Sequence, residues 1–217
     1  YARAGIVYLN NGETGSVTFI GTVSPAGGNL KEPVTESTKK AARCFYALSQ
    51  NRADSKRYPA IDTLDSYSKY LEYPEFIEFS KEKLDENWVE LVNEARNILV
   101  RGKETEEQIN ILGDDSVPID YHVTLWKSEF VDFVILQQDA FDKIDATTSL
   151  ERQEFMLKKV INVTRSEFKF EGFEEVGTYF KRLINVFRQM NYTVFKSDEF
   201  HKVEAEANAV LEERIIK

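Results

Sequence analysis

A single cysteine, Cys44, stands in this chain, so no intramolecular disulfide can form. Two histidines, His122 and His201, lie far apart, and with one thiol they give no spacing that would hold zinc. Proline and glycine are scarce, at five and ten residues in 217, which excludes collagen-like and low-complexity architectures. No apolar run approaches the roughly 18 residues that a membrane-crossing helix needs. Neither a G-x-x-x-x-G-K-[ST] phosphate loop nor a G-x-G-x-x-G fingerprint occurs. Basic residues are outnumbered, 28 Lys/Arg against 37 Asp/Glu, and a net charge of −9 argues against a nucleic-acid binder. Reduced cysteine usage fits a cytosolic protein.

What remains is an ordinary globular composition, 42% hydrophobic and 30% charged, long enough to bury a sizeable core. The charge is uneven. Residues 1–70 carry nine Lys/Arg against six Asp/Glu, residues 71–116 five against thirteen, and residues 117–217 fourteen against eighteen. Such asymmetry points to two regions with different neighbours, and we divide the chain at residue 70. Because it starts with Tyr1 and has no signal-peptide pattern, the chain reads as a piece of a longer protein.

The first region reads as α/β. "IVYL" (residues 6–9), the turn signals of "NNGETG" and the apolar "GSVTFIGTV" (residues 15–23) suggest two paired strands, the second in a covered sheet. "SPAGGNLKEPVT" reads as a Gly/Pro loop, "RCFYAL" as a further strand, and the residues after it as a short polar helix ending near Tyr58. From about residue 72 the period becomes helical. Leu84, Trp88, Leu91, Val92, Ala95, Ile98 and Leu99 form one stripe; Val176, Phe180, Leu183, Phe187 and Met190 a second; Phe200, Val203, Ala207, Val210 and Leu211 a third. Thr105 with Gln108, and Thr148 with Glu151, have the spacing of capping boxes and predict helix starts there. Ser116 and Pro118 predict the start of a helix carrying Leu125, Phe130, Phe133 and Leu136. The fold expected is α/β followed by an all-α bundle of five or six helices.

Two aromatic positions draw attention. In "KRYPAIDTLDSYSKY", Pro59 biases Tyr58 towards extended backbone and sets the ring on a fixed shoulder. Phe141 closes "ILQQDAF" where a helix should stop. Each ring either packs on the core or, with the other, clamps a flat base, since stacking contributes about 1–3 kcal/mol per base. Both readings stay open on these residues alone. The histidines read as surface or structural residues, Cys44 as a packed thiol, and the acidic residues of 71–116 as solvated helix faces.

"GSVTFIGTVSPAGGNLKEPVT" resembles the G-S-V-T-I-I-G-x-V-S-P-P-G-G-D-x-x-E-P-V-T signature of the catalytic A subunits of V/A-type rotary ATPases. "YARAG", "RYPAIDTLDSYSKYL", "LGDDSVP" and "FVILQQDAFDKIDATTSLERQEFML" resemble further motifs of that family, in family order. The resemblance implies the end of a RecA-like nucleotide-binding domain (1–70) and then a C-terminal helical domain (71–217). It implies that Tyr58 and Phe141 flank the adenine of ATP or ADP, with Mg²⁺ bound in the complete subunit. It implies that Asp114, Asp115 and Asp120 lie at a helix-turn-helix tip facing the central rotor shaft. The partners implied are B subunits in an alternating hexamer and the rotor shaft, with no nucleic acid and no direct membrane insertion, at a cytoplasmic site peripheral to the membrane. The family's catalytic and metal-binding residues lie upstream of its matching motifs, so no catalytic or metal residue is expected here, and this chain alone is expected not to hydrolyse ATP. Thr147 stands where the family has a further aromatic; Ala26, Asn29 and Thr63 also depart from the pattern and suggest a divergent bacterial branch. The alternatives are an acidic helical interaction module and the family's non-catalytic B-type subunit; the S-P-A-G-G and L-Q-Q-D-A-F elements favour the A type.

Overall fold

The computed structural model describes residues 6–216; "YARAG" therefore lies outside the described residues. The chain opens with a hairpin in which β1 (Ile6–Tyr8) pairs antiparallel with β2 (Thr14–Ser16), and Gly12 takes the positive φ of 85° in its turn. The covered strand expected over 15–23 does not form. Its extended part ends at Ser16, and Val17, Phe19 and Ile20 stand in solvent, Ile20 at 87% exposure. Among the described residues no other strand pairs with this segment, so neither a hydrogen-bond ladder nor burial holds it as sheet.

The Gly/Pro loop runs at its end into a helix the sequence reading missed, α1 (Pro33–Ala41), with Pro33 pre-set for the first helical position. Next come β3 (Cys44–Leu48), α2 (Gln50–Asp54) and β4 (Ile61–Ser68). The two strands pair antiparallel, with a register shift between Phe45 and Ala47. At that irregularity the Ser66 hydroxyl accepts the Ala47 amide at 3.0 Å and keeps the buried N–H satisfied. Tyr67 donates its hydroxyl to the Lys39 carbonyl at 2.6 Å and so ties the sheet to α1.

Six helices follow: α3 (Pro74–Lys83), α4 (Trp88–Leu112), α5 (Ile119–Val131), α6 (Leu150–Arg165), α7 (Phe173–Tyr192) and α8 (Asp198–Glu212). The α5 helix runs on into a π-helical turn, Asp132–Leu136, where the Gln137 amide reaches back five residues to the Asp132 carbonyl at 2.9 Å. The predicted stripes become the core: Leu91 and Ala95 from α4, Phe180, Leu183, Phe187 and Met190 from α7, and Phe200, Ala207 and Val210 from α8 all pack into one cluster. Ser149 and Ser197 cap α6 and α8 by accepting the amides of Arg152 and Phe200.

Neither capping box behaves as expected. Thr105 lies buried inside α4, its hydroxyl donating to the Arg101 carbonyl at 2.7 Å, and the helix passes through it unbroken. At the second box the cap is Ser149, one residue later, while Thr148 donates to the Asp145 carbonyl instead. The spacing of a capping box is shared by any helix surface with Thr and Gln three apart, so it marks a start only where the chain also turns.

The α/β and helical regions are stitched at two places. Arg96 of α4 donates to the carbonyls of Leu64 and Ser66 in β4, at 3.0 and 3.2 Å. The second seam lies at the π turn and forms the site described below.

Candidate functional site

Tyr58 follows α2 and precedes β4, at a Tyr58–Pro59 peptide bond that is cis. Its position is set by the residues just before it. The Arg57 amide donates to the Arg52 carbonyl at 2.8 Å, and Lys56 adopts a left-handed φ of 57° that turns the chain out of the helix. The Tyr58 carbonyl then accepts the Gln138 amide at 2.9 Å. Gln137 adds a side-chain bond to the Lys56 carbonyl at 3.3 Å. Residues 56–58 and 137–138 are thus joined across 80 residues of sequence, bringing Tyr58 beside the segment that carries Phe141.

Phe141 does not cap the core. It is 98% exposed, on a loop built from Asx turns in which the Asp139 carboxylate accepts the Phe141 amide at 2.9 Å. Asp142 accepts the amides of Ile144 and Asp145 at 2.8 and 2.9 Å and closes a second turn. Tyr58 is 53% exposed, and its hydroxyl makes one long bond, 3.4 Å, to the Ala53 carbonyl. Two rings from joined segments are therefore both presented to solvent. Thr147, on the same loop, is also exposed.

The loop is anchored from inside by Asp145. Its buried carboxylate accepts the Asp139 amide at 2.6 Å, and its carbonyl accepts the Gln138 side chain at 2.6 Å. Burial pushes the Asp145 carboxyl above the ordinary value, outweighing the Asp139 amide and the Arg152 charge that favour the anion. Burial likewise pulls Arg152 down, although it still donates to the Met190 carbonyl. A native carboxyl held above its unfolded value binds more protons than the unfolded chain. The stabilising contribution is full below the ordinary carboxylate range and gone above the raised native value. Asp145→Asn should therefore gain stability relative to wild type as pH rises from about 3 to about 7, read from urea midpoints. A constant difference between the two proteins across that range would contradict it.

Beneath the junction sit four charges that the sequence reading did not single out. Arg52 places Nη1 at 2.8 and 3.0 Å from the two oxygens of Asp132. Arg57 reaches the same carboxylate at 2.7 Å and also grips Glu129 with both terminal nitrogens, at 3.1 and 2.7 Å. Asp132 is buried. Burial opposes the Arg57 charge, yet the bonds and charges of Glu129 and Asp132 outweigh it and raise the guanidinium above its ordinary value. The Arg57 guanidinium also lies 4.6 Å from the centre of the Phe133 ring. No local pattern links residues 52 and 57 to 129 and 132, which is why sequence inspection passed over them.

Asp114, Asp115 and Asp120 lie together at the far turn between α4 and α5 and are exposed, as are Ile111 and Leu112 beside them. Gly113 makes that turn with a φ of 88°. His122 is buried, stacked on Phe173 at 5.0 Å, and one ring nitrogen meets the Asp114 carbonyl at 3.2 Å. It is a structural histidine that pins the turn to α5. Cys44 pairs its thiol with the Ser68 hydroxyl at 3.3 Å across the β3–β4 ladder. Among the described residues, no group of three or more His, Cys, Asp or Glu side chains could hold a metal ion, and no helix is long and apolar enough to cross a membrane.

Comparison with known proteins gives a consistent result. Residues 1–68 match the nucleotide-binding domain of the ATP synthase alpha/beta family, and residues 78–170 match the C-terminal domain of V and A type ATP synthases. Among curated relatives, the V-type ATP synthase alpha chain of Borrelia duttonii is 41% identical over 94% of this chain and 33% of its own length. The alpha chain of Treponema denticola is 40% identical over 92% of this chain and 32% of its own, and that of Protochlamydia amoebophila 37% identical over 99% and 36%. The chain spans about a third of the length of the curated relatives it matches. A solved ATP synthase subunit, NeqB from Nanoarcheaum equitans, superposes with a TM-score of 0.50 at 20% identity, covering 65% of this chain and 33% of that one, and supports the fold.

Proposed function

We propose that the chain, whose residues 1–68 and 78–170 match the two domains named above, serves as the C-terminal part of a V-type ATP synthase alpha chain, a subunit that couples ATP hydrolysis or synthesis to H⁺ or Na⁺ transport. In this reading residues 1–70 complete a nucleotide-binding domain and residues 71–217 form a helical domain that moves with nucleotide occupancy. Adenine sits between Tyr58 and Phe141. The observation that carries this is the Gln138-to-Tyr58 backbone bond, which joins the two segments while both rings remain exposed. A flat base bridging rings on the two sides of the α/β–helical junction would link binding to closure of that junction.

Catalysis itself is assigned to no residue of this chain. A phosphate loop is missing from its sequence, and phosphoryl transfer depends on phosphate-cradling and metal-bound groups of that kind. Mg²⁺ would accompany the nucleotide, held by residues other than these. The acidic turn bearing Asp114, Asp115 and Asp120 faces a basic rotor shaft in this scheme, and B subunits flank the nucleotide domain in an alternating hexamer at the cytoplasmic face of a membrane. Charge complementarity at that turn sets association and register more than affinity. The rival idea of a free-standing acidic module is permitted by the composition and the helical stripes, but it leaves the order of the matching motifs unexplained.

The test is ATP hydrolysis by the complete subunit reconstituted with its B partner. Tyr58→Ala and Phe141→Ala should each raise KM about ten-fold with kcat nearly unchanged, the size expected from losing one stacking partner. Unchanged KM in an active complex would overturn the adenine assignment.

A further inference from the structure

The four-charge cluster under the junction has more connections than a seam requires. Arg57 is adjacent in sequence to Tyr58, and its amide is bonded to the Arg52 carbonyl, so the two guanidinium groups are held by one short stretch of backbone. Asp132 is the first residue of the π turn, its carbonyl accepting the Gln137 amide, and Glu129 lies three residues before it in α5. One surface of the cluster thus carries Tyr58, and the other carries the strand of chain leading to Phe141. Two buried polar atoms at this seam, Arg52 Nε and Gln137 Oε1, have no hydrogen-bond partner. The π turn ends at the Gln137 amide, and the next residue, Gln138, donates its amide to the Tyr58 carbonyl at 2.9 Å.

We propose that Arg57, seconded by Arg52, is a positioning residue for the nucleotide. Its chelation of Glu129 and Asp132 fixes the spacing between Tyr58 and the Phe141 loop, and so sets how well adenine is gripped. This rests on the adenine reading given above. Arginine suits the task because its planar fork can bond two carboxylates at once, which a lysine ammonium at the end of a flexible stem does not reproduce.

The complete subunit assembled with its B partner provides the test, with ATP hydrolysis measured over a range of ATP concentrations. Arg57→Ala should raise KM about ten-fold while kcat stays within about two-fold, the pattern of lost binding rather than lost chemistry. Arg57→Lys should fall between Arg57→Ala and wild type. A merely structural role would lower the active fraction, and hence the maximal rate, without moving KM; that result, or no change at all, overturns the proposal. If the Arg57→Ala complex does not assemble, Glu129→Gln removes one arm of the chelate while leaving Asp132 with both arginines, and the same KM-against-kcat split decides. Tyr58→Ala and Phe141→Ala serve as references. Should they raise KM while the Arg57 variants do not, the clamp fails and the adenine reading stands. Should the references leave KM unmoved, the adenine reading fails, and the clamp's role with it.

Discussion

Replacing Phe180 by alanine should destabilise the chain by about 3–5 kcal/mol, the cost of emptying a large site in a packed core. The ring has 0% exposure and lies at the meeting point of several elements. Tyr179 and Phe168 stand 5.4 and 5.2 Å away centre to centre, Phe170 at 6.4 Å and Trp126 at 6.5 Å. These rings come from α5, from α7 and from the segment before α7, so a hole there cannot be closed by sliding one helix. The neighbouring aromatics are broad and rigid, which also limits collapse. A loss of that size is a large fraction of the roughly 5–15 kcal/mol that holds a domain folded. It should appear as a lower urea midpoint at unchanged slope. Phe180→Leu keeps most of the volume and should cost far less. A loss below about 1 kcal/mol for the alanine variant would mean that this cluster is not the packed core described here.

The second large effect is expected at a residue where alanine would ordinarily help. Gly102 lies in the middle of α4, and exchanging an exposed helical glycine for alanine stabilises by about 1 kcal/mol. Here the Ser128 side chain of α5 occupies the space. A Cβ on Gly102 would fall on Cβ and Oγ of Ser128, well inside contact distance, and Cβ of a helical residue cannot rotate away. Gly102→Ala must push α4 and α5 apart, at a net cost of about 1–3 kcal/mol after the propensity gain. The partner substitution makes the argument specific. Removing the Ser128 side chain leaves its Cα 3.6 Å from the new methyl, an ordinary contact, so Gly102→Ala with Ser128→Gly should recover much of the loss. Ser128→Ala, which keeps Cβ, should not. An increase in stability from Gly102→Ala alone would show that the two helices are not in close contact at this point.

The helical half was legible because burial and period coincide there. Leu91 and Ala95, or Leu183, Phe187 and Met190, recur at helical steps and do face one core. The β half was less so. In β4 the residues "IDTLDSYS" alternate without a strong apolar face, and the strand is held by β3 and by Arg96 reaching from α4, neither of which leaves a local mark. The opposite error occurred at "GSVTFIGTV", where apolar content suggested a covered strand and no described segment covers it. Tyr58 and Phe141 were found through turn chemistry and family resemblance. Their joining through Gln138, and the arginine–carboxylate cluster under them, depends on contacts across 72 to 80 positions of sequence that no window could show.

The central claim is that adenine occupies the space between the Tyr58 shoulder and the Phe141 loop. It is tested most directly by photolabelling the assembled complex with 2-azido-ATP and mapping the modified residues by mass spectrometry. The account expects the label on Tyr58, Phe141 or residues immediately beside them, and its disappearance when excess ATP competes. Competable labelling confined to other parts of the complex would contradict the claim, and Tyr58 and Phe141 would then be exposed rings with no part in holding the base.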